Sequence, residues 1–202
     1  MRCIQRRRIA AWFSRLPLWI VTGAVRLVNA NIWSPVEVPG RGSIYTATIL
    51  IPKDDSKTLL GIRTAVDSAA AAGIADLGGH RGKKPKRYLP PYDGDADGLP
   101  PVFRGCWYVN AASLTAPQIL DHQLYPVADR STVGSGSWVR VSLAFFLVYK
   151  KGGSRIGCQL GNIQKARISD SYEEIADTGF DRFLDDFLRV FEKPSQGTAK
   201  AP

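Results

Sequence analysis

The chain has 202 residues, 45% of them hydrophobic, and sets 27 Lys and Arg against 18 Asp and Glu for a net charge of +9. That is apolar material enough for the core of one ordinary domain, which excludes wholesale disorder. The charge balance favours a polyanion or an acidic membrane as partner. Three scattered cysteines (Cys3, Cys106, Cys158) and two histidines (His80, His122) argue against a disulfide framework, a structural zinc site and a His-dependent triad.

Residues 1–20 open with Arg6-Arg7-Arg8 before an apolar run that Arg15 and Pro17 interrupt. No stretch there reaches the roughly 20 apolar residues of a membrane span. The reading is a basic amphipathic extension rather than a cleaved signal. From Val21 the sequence VTGAVRLVNANIW alternates loosely as a strand, VPGRGS turns, and YTATILIP (45–52) is a second strand ended by proline. Asp54-Asp55-Ser56 then caps a helix with apolar residues at three- and four-residue spacing from Leu59 to Ala69, ended by Gly73 or by Gly78-Gly79.

Residues 80–101 read as a long loop. Within it DGDADG (93–98) begins like a calcium-binding loop of the EF-hand type. Such a loop needs a bidentate Glu at its twelfth position. Counting from Asp93, that position is Arg104, and Pro90-Pro91 stand where the entering helix should run. The stretch is a solvated acidic turn, and no metal is expected there.

Strands resume at 107–112 and at 138–149, and 155–167 pairs with the latter across a Gly-containing hairpin loop. After Ser171 the chain becomes helical and acidic, and its last ten residues read as disordered. The fold class expected is mainly β: about five strands in a small antiparallel barrel, with one helix inserted between the second and third. The domain limits expected are 1–20 (basic extension), 21–170 (barrel) and 171–202 (acidic amphipathic segment and tail).

The charge is unevenly spread. Residues 170–192 hold eight acids and two bases, which leaves the rest of the chain with 25 bases, 10 acids and a net charge of +15. In WVRVSLAFFLVY (138–149), period-two alternation puts Val139, Val141, Leu143, Phe145 and Leu147 on a core face and Trp138, Arg140, Ser142, Ala144 and Phe146 on the other. Cations between exposed rings suit an unpaired nucleic acid strand: bases stack on the rings and Arg meets phosphate. The same rings would also fit beneath a covering helix or loop. The loop HRGKKPKRY adds Arg81, Lys83, Lys84, Lys86, Arg87 and Tyr88, a cluster that a polyanion would neutralise. Trp107, Lys150, Lys151, Arg155, Lys165 and Arg167 complete the candidate nucleic-acid-binding set. No phosphate-binding GxxxxGK[ST] loop, GxSxG elbow or HExxH helix occurs, so neither catalysis nor a cofactor is expected.

Taken together, VRLVNANIWSP (25–35), YTATILIPKDD (45–55), GCWYVNAAS (105–113) after the YDGD turn, and LGNIQKAR (160–167) resemble a bacteriophage family of OB-fold single-stranded-DNA-binding proteins. The resemblance spans about residues 21–170. It implies a five-stranded OB barrel, no enzymatic activity, and a role in phage DNA replication, recombination or repair within the host-cell cytoplasm. Members tend to end in an acidic tail with a terminal aromatic. Here DDF (185–187) lies inside FDRFLDDFLRVF and a basic, proline-containing end follows. Phe183, Phe187 and Phe191 at helical spacing are the candidate partner-binding residues, to be met by replication or recombination proteins, by the barrel itself, or by a second protomer. Two other readings stand beside DNA binding. One is a non-catalytic interaction protein that assembles through the C-terminal helix. The other is a membrane-peripheral protein held by residues 1–20, with Trp12, Phe13 and Trp19 beside the arginines but no integral association.

Overall fold

In the computed structural model, which describes residues 18–38, 42–76, 89–150 and 153–166, eight strands and one α-helix form. In chain order they are β1 (Trp19–Val21), β2 (Val25–Val38), β3 (Gly42–Pro52), α1 (Ser56–Asp76), β4 (Tyr92–Asp93), β5 (Cys106–Ser113), β6 (Ile119–Leu120), β7 (Trp138–Lys150) and β8 (Gly153–Lys165). The N-terminal extension before Leu18, the basic loop 77–88 and the whole acidic segment with its expected helix lie outside the described residues.

The five long strands close a circuit. β7 pairs with β2, β2 with β3, β3 with β5, β5 with β8, and β8 returns to β7. The sequence predicts a small antiparallel barrel, but the β5–β8 contact, Ala112 opposite Gln159, is parallel. An odd number of strands cannot alternate up and down around a closed ring, so one seam must be parallel. Three short strands decorate the circuit: β1 on β7, β4 on β5 and β6 on β8.

Period-two alternation fills the inside. Val25, Leu27, Ala47, Ile49, Ile51, Val109, Ala111, Val139, Val141, Leu143, Leu160 and Ile163 are all buried and form one cluster. β-branched residues dominate the list, as a pleated, packed surface favours. The helix contributes Leu59, Ile62, Ala65 and Val66 to the same cluster. Its start is held twice: the Thr58 amide donates to the Asp55 carboxylate at 3.0 Å, and the Gly23 amide donates to the Thr58 hydroxyl at 2.7 Å. The first bond satisfies an amide that has no partner within the helix. Gly73 does not end the helix, which runs on to Asp76. A Cβ there would lie 2.4 Å from Cβ of Leu147 on β7, so glycine is required for the helix to approach the sheet so closely.

The acidic turn is part of the framework. Lys53, the residue after β3, donates to Asp93 at 2.7 Å and to Asp95 at 2.5 Å. Asp95 also accepts the Gly105 amide at 2.8 Å, and Asp93 the Asp95 amide at 3.0 Å. Both carboxylates are thus engaged by one ammonium group and by backbone, which ties the turn to β3. The Lys53 hydrogen bonds hold both carboxyls below their ordinary value of 3.8 and raise the Lys53 ammonium above its own. Depressed carboxyl pKa values give stability that is present above the unfolded value and lost as pH falls through the folded one; the raised lysine extends the effect to the alkaline side. Asp95→Asn should therefore lower the urea midpoint at pH 7, and its difference from the unsubstituted chain should shrink towards pH 3. A difference that is constant across this range would show that the ion pair contributes nothing.

Candidate nucleic-acid interface

The face of the sheet turned away from the core has two regions. On one, Leu50, Val28 and Phe103 form a second buried cluster with Leu99, Val102 and Tyr108 packed against it. Tyr108 is fixed by two rings, Phe103 edge-on at 5.1 Å and Tyr92 at 5.3 Å. The turn between β4 and β5 covers this region.

The other region lies along β7 and β8. Register places Trp138 opposite Arg26, Arg140 opposite Gln164, Phe146 opposite Gly157 and Val148 opposite Arg155. Partners across a pair share a face, so Trp138, Arg140, Phe146, Arg155 and Arg26 project from one side. Arg140 and Arg155 are exposed, while Trp138 and Phe146 are half-buried. Arg26 also donates its Nε–H to the Gly136 carbonyl at 3.2 Å, which anchors it near Trp138. β3, β5, β7 and β8 contain no Asp or Glu, and β2 has only Glu37 at its far end. The strands that build this face thus present cations and rings and almost no carboxylate of their own, while Asp121 follows β6 beside Gln164.

The other candidates are placed differently. Trp107 pairs with Ile51, a fully buried core position, and so belongs to the core-facing side. Its ring has Lys53 at 5.1 Å and Arg63 at 5.8 Å, a cation–π arrangement at the rim beneath the helix. Lys165 pairs with the buried Val139, so the register sets it on the side opposite Arg140. Lys150 ends β7, but its side chain is outside the described set. Arg81, Lys83, Lys84, Lys86, Arg87, Tyr88, Lys151, Arg167, Phe183, Phe187 and Phe191 likewise lie outside the described residues. Sequence reasoning passed over Arg26, although its position between Val25 and Leu27 marks it as outward by the same alternation that singled out Arg140. It also left Trp19 with the N-terminal extension, whereas Trp19 opens β1 and pairs with Ala144 on β7.

Among the described residues no three of His, Cys, Asp and Glu gather as a metal site, and no helix is long and apolar enough to cross a membrane. A closed five-strand circuit with one inserted helix and a cationic, ring-bearing outer face defines a mainly β protein of the OB kind, the class that takes unpaired nucleic acid strands. The chain belongs to the family described as the single-stranded-DNA-binding protein of Enterobacter phage Enc34, whose model matches residues 18–183. The solved structure of the bacteriophage Enc34 single-stranded-DNA-binding protein in complex with single-stranded DNA is 21% identical, with a TM-score of 0.62 over 77% of this chain and 89% of that one. The same phage protein alone gives 21% identity and a TM-score of 0.61, over 82% and 89% of the two chains. The gp2.5 single-stranded-DNA-binding protein of bacteriophage T7 is 19% identical, with a TM-score of 0.50 over 78% and 98%. At these identities the solved structures speak to the fold. No protein of curated function matches the chain.

Proposed function

We propose that this protein binds single-stranded DNA without reading its sequence, through the outer face of β7 and β8, and serves phage DNA replication, recombination and repair in the host-cell cytoplasm. The observation that carries this reading is the alternation Trp138, Arg140, Phe146 on one face of two strands that contain no Asp or Glu, joined across the strands by Arg26 and Arg155. Ring faces stack on any base and guanidinium groups meet phosphate, so affinity comes without base-edge readout. Family membership supports the same reading, and a binding role requires no catalytic group. The basic loop 81–88 and Lys150, Lys151 and Arg167 are proposed to extend the cationic surface, and the acidic segment with Phe183, Phe187 and Phe191 to meet protein partners or a second protomer.

Fluorescence anisotropy with labelled dT oligomers tests this. Binding should be tight at low salt and weaken linearly on a log–log plot, with a slope of about −0.7 per phosphate contacted. Duplex of the same length should bind more weakly, because its bases are not available to the rings. Equal affinity for duplex and single strand would remove stacking from the account, and no binding at low salt would remove the function.

A further inference from the structure

We propose that Trp19, on the short strand β1, is a base-stacking platform within this interface; the inference rests on the DNA-binding reading above and extends it to a residue from outside the closed circuit. Three observations converge on it. The pairing of Trp19 with Ala144 directs its side chain to the outer face, the side that bears Arg140 and Phe146. The indole lies over a gap made for it: a Cβ on Gly161 would stand 2.5 Å from Cζ3 of the Trp19 ring and 2.3 Å from the Ser142 hydroxyl. Gly161 sits where β8 slips register against β7, between the Val141 and Leu143 pairings, so a bulge and a missing side chain together make the seat. Ala144, outward-facing but fully buried, continues the small-residue floor.

Trp19, with its ring seated on glycine, serine and alanine, is nevertheless 45% exposed as a residue. Leaving that much of a tryptophan in water gives up burial that a smaller residue would not need, and indoles with one face supported and one face open are the usual partners of unpaired bases. The position fits as well. Phe146 is two residues along β7 from Ala144, which makes it a diagonal cross-strand neighbour of Trp19, and such pairs stand about 7–8 Å apart. Trp138, Arg140, Trp19 and Phe146 then form one track along β7, with rings at both ends and a cation between them. β1 is thereby a functional strand: without it the track would have a gap between Arg140 and Phe146.

The test uses the full chain and a labelled dT oligomer. Trp19→Ala should weaken binding by roughly 5- to 100-fold, as expected for the loss of one stacked base. The salt slope should stay unchanged, since an indole contacts no phosphate. Trp19→Phe, which keeps a ring and the fold, should retain most of the affinity but lose a distinct share of the tryptophan fluorescence quenched by dT. Gly161→Ala, which displaces the indole without altering any charge, should reproduce the loss seen in Trp19→Ala. If Trp19→Ala is folded and binds as tightly as the unsubstituted chain, or if Trp19→Phe leaves the quenching unaltered, the inference is overturned. In that event a loss in Arg140→Ala would leave the DNA-binding reading standing. If the unsubstituted chain does not bind dT at all, it is the underlying reading that fails.

Discussion

Replacing Arg140 and Phe146 together by alanine should reduce affinity for a dT oligomer by roughly 30- to 1,000-fold, or about 2–4 kcal/mol. The estimate combines one stacked base, worth about 1–3 kcal/mol, with one charge-assisted contact to phosphate. The two substitutions should separate in their salt dependence. Arg140→Ala removes a phosphate contact and should flatten the log–log slope by about 0.7, whereas Phe146→Ala should lower affinity and leave the slope alone. Both residues project from the outer face of β7, away from the main core cluster, so the thermal midpoint should move little. Anisotropy titrations at three salt concentrations check each part. A double variant that binds like the unsubstituted chain would move the interface off β7.

The largest effect on stability is expected at Leu143. It is fully buried, and its partners across the sheet are Ile20 on β1 and Leu160 on β8, so it sits where three strands meet. Leu143→Ala removes three methyl-sized groups from a packed interior and leaves a cavity, at a cost of about 2–5 kcal/mol. For a domain with a marginal net stability of about 5–15 kcal/mol, that is a large share. Urea unfolding followed by tryptophan fluorescence should show a lower midpoint with an unchanged slope. Below its melting temperature the variant should still bind dT, because the adjoining outward positions keep their places. Loss of less than about 1 kcal/mol would mean that the site collapses around the smaller side chain.

Much of this was legible in the sequence, for identifiable reasons. Strict alternation in 138–149 assigned both faces of β7, and the core side holds Val139, Val141, Leu143 and Phe145 as expected. The helix start was legible because Asp55 is a capping residue followed by a helical apolar pattern. Of the two ends the sequence offers, Gly73 is not the stop, because it serves tertiary packing against Leu147 instead of the local role a glycine usually has near a helix terminus, and Gly78-Gly79 lie outside the described residues. The register slips were also hidden: Asn29, at φ 50°, lies where β2 is displaced against β3, and no periodicity announces such a break. β1, β4 and β6 are two or three residues each, too short for a pattern to show. Trp107 illustrates a different difficulty. It alternates with Val109 and Ala111 and so faces inward, yet an aromatic at a strand end beside cations reads equally well as a ligand platform until its pairing with Ile51 is known.

The order in which the strands join the circuit also bears on how the chain is made. The partners of β1 and of the start of β2 are on β7, far along the chain, and the ring is closed by β8, the last strand described. A nascent chain leaving the ribosome therefore carries β2, β3 and β5 as an unfinished sheet with open edges until β7 and β8 have followed. Folding must wait for distant contacts and will be slow compared with that of a helical protein of the same size. During that interval the exposed strands are open to pairing with neighbouring chains, since β2 and β3 carry only Arg26 and Glu37 between them as charged residues.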